Sequence, residues 1–449
     1  MIFSPGFAAA TIIFLFTMIL VITRPMKLNE AIYSSAGALI VVLLGIVSLS
    51  DISQIYFKIE DASITIISNF ILALILDKIG FFQLVAEYLI KRSRNSGIRL
   101  FWLTAGLSYL MTLLFNNDGC ILILTPLLIK LLNATSFKKH EKIPILLTSA
   151  LIATASSAPI GVSNVVNLVA LKIIGMSLHE HVWMMFLPAT MGVVFLTFLL
   201  YVLFRKKIPK QFHSGSVTFD SSRFHHPLKP VPQAKINSRH VVLICCFILG
   251  MRLVLISSSL LGLSLSFLSI AGVLLLYMLT RKNYQISMRK TLAKAPWHVF
   301  IFAFSMYILI FSLNNVGITA ELTKYLTDIV EQMPLVESSM TIALVTSVLS
   351  NLINNHPALM LMMLALSDAH LSPVILKASY MAIIIGSDIG SLVTPIGTLA
   401  TMLWMFILKE NGIKFKWKSY LKITILVIPL TTAATVFFLL GWIYLNMIM

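Results

Sequence analysis

Two apolar stretches of this chain are interrupted by the same kind of polar break, and that pairing limits what the chain can fold into. The first break is Asn116-Asn117-Asp118-Gly119-Cys120, preceded by Phe115 and followed by the apolar run Ile121 to Leu124 and by Thr125-Pro126. The second is Ser350-Asn351-Leu352-Ile353-Asn354-Asn355-His356-Pro357. Each is followed by a Pro-Ile-Gly: Pro159-Ile160-Gly161 in one case and Pro395-Ile396-Gly397 in the other. Asn117 lies 42 residues before Pro159, and Asn355 lies 40 before Pro395. Near-equal spacing of this kind is expected of an internal duplication with a polar, broken-backbone site in each half.

The surroundings of the breaks set the class. Hydrophobic residues make up 58% of the chain and charged residues 11%, too little charge to solvate a globule of 449 residues. Apolar runs of spanning length recur throughout, which predicts an all-α polytopic membrane protein, since helices satisfy their own backbone hydrogen bonds in lipid. The first run, Gly6 to Ile22, has no basic leader and no small-residue cleavage site, and is read as a span and not as a cleaved signal. The net charge of +17 is expected in inner loops facing the cytoplasm, not on a nucleic-acid surface. Cys120, Cys245 and Cys246 lie in apolar sequence and give no disulfide framework.

The spans are expected near 6–22, 30–49, 62–90, 142–174 and 181–204, with a re-entrant hairpin at 98–133. Gly80 is expected to end the third span, leaving 81–92 as an amphipathic surface helix. The second half repeats the order: 240–258, 263–280, 299–332, a hairpin at 337–368, a broken span at 373–409 and a last span at 419–446. The organisation read is a first repeat over 1–204 with its broken helix at 142–174, a basic cytoplasmic linker at 205–239 carrying Pro209, Pro227, Pro230 and Pro232, and a second repeat over 240–449. Five true spans per half make the repeats inverted, with the hairpins entering from opposite sides. Predicted inner loops at 23–29, 91–99, 130–142, 205–239, 281–294 and 409–422 hold 28 of the 34 Lys and Arg. Predicted outer loops carry Asp51, Glu60 and Asp61, and Glu321, Asp328, Glu331 and Glu337. Both termini are then extracytoplasmic, on a protein of the bacterial plasma membrane.

Inverted repeats with hairpin tips and broken helices describe a secondary transporter with a site at mid-membrane. Amides at the tips, and hydroxyls and free backbone groups at the breaks, suit a polar solute or a hydrated ion. The expected substrate contacts are Asn116, Asn117, Ser163, Asn164, Asn354, Asn355, Thr394 and Thr398, at helix breaks made by Pro159, Gly161, Pro395 and Gly397. Asp118 and Asp388 are carboxylates at membrane depth, costly there and functional by default, and they are the candidates for proton coupling. Asp388, two turns before Pro395, has the better placement; Asp118 has a competing reading as a helix cap. Asp77-Lys78 reads as a structural charge pair. Arg252, alone in an apolar span, needs a midplane carboxylate or a snorkelling path. His298 and His356 are either proton carriers or satisfied polar groups. Cys120 beside the first tip is first of all a small hydrophobe. No Gly-rich nucleotide loop, zinc spacing or nucleophile elbow occurs, so no cofactor, metal or catalytic residue is expected, and the chain is not read as an enzyme.

From about Asp77 to Leu439 the chain resembles the arsenite permease family, the membrane subunit of arsenical pumps, within the ion transporter superfamily. The resemblance is carried by Leu76-Asp77-Lys78-Ile79-Gly80-Phe81-Phe82, by Asn116 to Pro126, by Val162-Ser163-Asn164 with Asn167, and by Ala295-Pro296-Trp297. It continues through Phe304 to Tyr307, Asn315 with Gly317 and Thr319, Asn354-Asn355 with Pro357, and Gly386 to Gly390. It closes with Thr394 to Thr401 and Leu403-Trp404. It implies export of trivalent arsenic or antimony hydroxide in exchange for protons, in some members with a cytoplasmic arsenical pump ATPase as partner. The chain departs from the family pattern at Thr154, Asn314, Leu392, His356 and Cys120, where the family usually has Asp, Arg, Lys, Met and Ala. The alternative reading is a sodium/proton antiporter or an anion carrier of the same superfamily.

Overall fold

The computed structural model describes residues 5–26, 28–213, 238–258, 260–295, 297–369 and 371–448. The expected linker at 205–239 therefore lies, for residues 214–237, outside the described residues. Every regular element among the described residues is a helix. In chain order they are α1 (Pro5–Thr23), α2 (Glu30–Leu43), α3 (Leu49–Ile79), α4 (Phe81–Ser93), α5 (Gly97–Leu114), α6 (Asn117–Asn133), α7 (Lys139–Ala155), α8 (Val165–Ile174) and α9 (Leu178–Phe204). Then follow α10 (Ser238–Ser258), α11 (Leu265–Tyr284), the short α12 (Met288–Leu292), α13 (Trp297–Asn315), α14 (Ile318–Gln332) and α15 (Leu335–Ile353). The last four are α16 (Asn355–Ser367), α17 (Pro373–Asp388), α18 (Leu399–Glu410) and α19 (Trp417–Ile448).

Local chemistry explains the boundaries. Gly80 (φ +90°) ends α3 and opens α4, and Gly317 (φ +88°) stands in the same place between α13 and α14. Both need the left-handed conformation that glycine adopts without a Cβ penalty. The span expected at 30–49 is instead a 14-residue helix that stops at Leu43. Gly45 turns the chain at φ +70°, and Ser48 starts the next helix with a capping box, accepting from the Asp51 N–H at 3.1 Å while the Asp51 carboxylate accepts from the Ser48 N–H at 2.9 Å. Asp51, Glu60 and Asp61, placed by the sequence reading in an outer loop, therefore lie on the first four turns of α3. Glu321, Asp328 and Glu331 likewise lie on the helix α14.

Nine helices among the described residues are long and apolar enough to cross a membrane. They include α5 and α15, the first arms of the two expected hairpins, while the shorter α2 and the apolar part of α10 fall below that length. Apolar side chains on α9, such as Phe186, Val194 and Phe198, are exposed, as expected of a surface that meets lipid tails. On its inner face α9 packs against α19 through Gly192, where a Cβ would sit 2.1 Å from the Thr435 Oγ1. Such close approach of small residues is how helices associate without a hydrophobic driving force.

The centre is built crosswise. Helix α6, which follows the first polar tip, packs on α18, which follows the second break; α16, which follows the second tip, packs on α8, which follows the first break. The two breaks thus meet in the interior, with the tips on either side.

Candidate functional site

At the first tip α5 stops at Leu114, and Asn116 is extended (φ −166°, ψ 166°). The Asn116 Oδ1 accepts from the Gly119 N–H at 3.0 Å and caps α6. Gly119 permits this, because a Cβ there would lie 2.2 Å from that oxygen. The cap is therefore Asn116, and the Asp118 carboxylate, for which a capping role competed in the sequence, is left free of it. The buried Arg252 on α10 closes the other arm: its Nε donates to the Leu114 carbonyl at 2.8 Å and its guanidinium also donates to the Phe115 carbonyl. Among the described residues Arg252 thus pairs with no carboxylate, and it is buried; it neutralises the carbonyl end of α5, where the helix dipole is negative.

Asp118 faces a small, partly open cleft. Helix α3 lines it with Ser63, Ile66, Ile67 and Phe70, the first tip with Asn116 and Asp118, α8 with Val165, and α13 with Val299 and Phe300. The walls thus come from both sides of the 205–239 segment. The cleft's lining, mostly apolar with a few placed polar groups, is of the kind that small-ligand sites have. Its polar groups are one carboxylate, one amide and one hydroxyl.

Asp388, the last residue of α17, is fully buried across the interior. Its carboxylate accepts from the Ser157 Oγ at 2.8 Å, the Asn164 Nδ2 at 3.1 Å and the Asn167 Nδ2 at 2.7 Å. All three donors belong to the first break, so this carboxylate ties the two breaks together. Asn164 also caps α8, its Oδ1 accepting from the Val166 N–H at 3.3 Å.

The second tip is bonded to its own break. The Asn354 Oδ1 accepts from the His356 N–H at 3.3 Å, and its Nδ2 donates to the Ile396 carbonyl at 2.9 Å. The Asn355 N–H donates to the Gly397 carbonyl at 2.8 Å, and its Oδ1 meets the His356 Nδ1 at 3.0 Å. Asn351 accepts from the Thr394 N–H at 2.7 Å and, with Ser347, donates to the Gly390 carbonyl, both at 2.8 Å. The Thr398 hydroxyl caps α18 through the Thr401 N–H at 3.0 Å. At the first tip the Asn117 Oδ1 accepts from the Asp118 N–H at 2.8 Å. Ser163 is buried, and its hydroxyl has no partner among the described residues. Of the ten residues singled out for substrate or proton, the structure thus brings Asn116 and Asp118 together at the cleft. It engages Asn117, Asn164, Asn354, Asn355, Thr394, Thr398 and Asp388 in hydrogen bonds that hold the tips and breaks.

Gly397 shows how tightly that packing is drawn: a Cβ there would sit 1.8 Å from the Ser391 carbonyl oxygen, a backbone atom that cannot swing aside. Gly397→Ala is expected to cost about 3 kcal/mol or more, as overpacking at a fixed backbone does. In detergent it should lower the melting temperature and the folded yield together; an alanine variant melting like wild type would contradict this geometry.

Sequence reasoning missed two participants. Ser63 carries no motif. His181 on α9 is fully buried, its Nε2 3.0 Å from the Ala158 carbonyl at the first break and its Nδ1 3.1 Å from the Tyr380 hydroxyl on α17. The Lys78 Nζ, read with Asp77 as a charge pair, donates to the Thr291 hydroxyl on α12 at 2.7 Å.

The model of the arsenical pump membrane protein family matches residues 9–445. A protein of Bacillus subtilis, provisionally named an arsenical pump membrane protein, is 45% identical over 96% of this chain and 99% of its own length. The arsenical pump membrane protein of Escherichia coli is 29% identical over 91% of this chain and 93% of its own length. The YdaH transporter of Alcanivorax borkumensis, whose crystal structure has an unusual topology, shares the fold with a TM-score of 0.52 at 15% identity, over 88% of this chain and 86% of that one. A family match across nearly the whole chain, on a multi-pass helical fold, settles the relationship: this chain belongs to the arsenical pump membrane protein family.

Proposed function

We propose that this protein exports trivalent arsenic or antimony, as the neutral hydroxide, across the plasma membrane in exchange for protons. The observation that supports this most is the cleft at Asp118: a carboxylate, an amide and a hydroxyl among six apolar side chains. A neutral trihydroxide offers donors to the carboxylate, an acceptor to the Nδ2 of Asn116, whose oxygen caps α6, and both donor and acceptor to the hydroxyl. An anion would meet the Asp118 carboxylate and no lysine or arginine among the cleft's lining residues, which weighs against the anion carrier. Cys120 does not act as a soft ligand in this reading. It is fully buried, with its Sγ 3.7 Å from the Ser108 carbonyl.

In this mechanism Asp118 binds either a proton or the solute, and the exchange between the two couples export to the proton gradient. A carboxylate at membrane depth is costly when charged, so protonation is favoured whenever the solute leaves. Asp388 keeps the two breaks in register through its three hydrogen bonds. The elements fall into two halves of like order, α1–α9 and α10–α19, which we take as inverted repeats. Alternating access then follows from motion of these units around the cleft, with the 205–239 segment cytoplasmic and both termini outside.

Everted vesicles test the reading. With an acidic lumen they should accumulate arsenite and antimonite, and collapsing the pH gradient should release them. Vesicles that exchange sodium for protons and leave arsenite unmoved would replace this account with the sodium/proton antiporter. A single-cysteine probe within 205–239, in a cysteine-free background, should be labelled only after the cells are opened; labelling from outside intact cells would reverse the topology.

A further inference from the structure

We propose that Ser63 on α3 is a substrate-contacting residue that sets affinity, and that the solute's polar contacts are made on one side of the molecule, by Ser63, Asn116 and Asp118. This rests on the reading of the cleft as the site of a neutral polyhydroxy solute.

Two independent observations carry it. The first is an orphan. Ser63 lines the cleft, is 2% exposed, and its Oγ has no hydrogen-bond partner among the described residues. A serine in a helix can return its hydroxyl to a carbonyl one turn back, as Ser108 does to Thr104 at 2.9 Å. Ser63 does not. An unmade hydrogen bond of a buried hydroxyl costs free energy, and a ligand that supplies the missing partner recovers it. Asp118 and Asn116 line the same cleft as Ser63, so the three polar groups of the lining bound one space.

The second observation is the unequal use of the two tips. The Asn354 amide spends its oxygen on the His356 N–H and its nitrogen on the Ile396 carbonyl. Asn351, Thr394 and Thr398 are likewise engaged with backbone. Binding a solute at that tip would break bonds before making any. At the first tip the Asp118 carboxylate makes no hydrogen bond to any described residue, and Ser63 supplies the missing donor and acceptor from the neighbouring helix. Duplicated architecture thus carries one solute site and one hydrogen-bonded staple.

The test is transport kinetics in everted vesicles with arsenite, comparing wild type, Ser63→Ala and Thr104→Ala. Thr104 on α5 is an equally buried hydroxyl without a partner, outside the cleft. Loss of one neutral hydrogen bond to the solute should raise the half-saturation constant of Ser63→Ala about tenfold. The maximal rate should stay within about twofold, since the hydrogen bond acts on binding. Thr104→Ala should behave like wild type. An unchanged half-saturation constant in Ser63→Ala, or a fall in maximal rate alone, overturns the assignment. A separate arm uses Ser63→Cys with Cys120, Cys245 and Cys246 replaced, probed with a small neutral methanethiosulfonate. If wild type carries no arsenite but this variant is labelled, the cleft stands and the solute class is wrong. If the variant is not labelled, the site itself is wrong.

Discussion

Asp118→Asn should leave the protein folded and able to exchange arsenite down its gradient, yet unable to concentrate it. The reasoning is steric first. Asparagine has the shape of aspartate and keeps one acceptor toward the cleft, and no described residue hydrogen-bonds the carboxylate, so no internal partner is lost. The solute meets a weaker acceptor, and its affinity should fall by about tenfold, the size of one charge-assisted hydrogen bond becoming a neutral one. What vanishes is titration. Without a group that must take up a proton when the solute leaves, the two fluxes are no longer tied. The accumulation ratio across vesicles with an imposed pH gradient should fall to one, while counterflow of labelled against unlabelled arsenite persists. An Asp118→Glu variant should retain part of the coupling. Concentrative uptake by Asp118→Asn at the wild-type level would remove Asp118 from the coupling role.

Asp388→Leu should act on the fold. Leucine fills a similar volume but accepts no hydrogen bond, and the side chain it replaces is fully buried among three donors. The Ser157 hydroxyl can turn to the Thr154 carbonyl at 2.7 Å, and the Asn167 Nδ2 keeps a long contact to the Ser157 carbonyl at 3.4 Å. The Asn164 Nδ2 is left with nothing. Orphaned buried donors cost about 1–3 kcal/mol each, so a loss of about 3–5 kcal/mol is expected. Thermal unfolding in detergent should show it as a large drop in melting temperature. Asp388→Asn, which keeps one acceptor, should fall between leucine and wild type. A leucine variant as stable as wild type would mean that the two breaks are not held together through this carboxylate.

The pair of variants also shows what the sequence could and could not disclose. The helix breaks were legible because polar residues beside glycine and proline have no other use at membrane depth; α5 and α6 part at Phe115-Asn116, and α7 and α8 around Pro159, where the residues required it. The helix ends at Leu43 and Ile79 followed from Gly45 and Gly80, although only the second was read in advance. Pairings across the interior were not legible. Asp388 and its donors Ser157, Asn164 and Asn167 were visible as polar residues, but nothing in one sequence says that a carboxylate in the second half meets amides in the first. Arg252 was read as seeking a carboxylate or the surface because backbone carbonyls, its actual partners, have no letter in the sequence. Ser63 was missed for a related reason. A serine on an apolar helix is ordinarily satisfied by its own turn, and its significance lies in the hydrogen bond it does not make. The ranking of Asp388 above Asp118 came from distance along the helix; we propose Asp118 first because it lines the cleft.

The most direct measurement is arsenite flux in proteoliposomes of the purified protein with an imposed pH gradient and no sodium, for wild type and Asp118→Asn side by side. The account predicts that wild type concentrates arsenite toward the acidic side and moves protons the opposite way in fixed proportion, and that Asp118→Asn equilibrates arsenite without concentrating it or moving protons. Concentration of arsenite by Asp118→Asn with proton movement intact would contradict it.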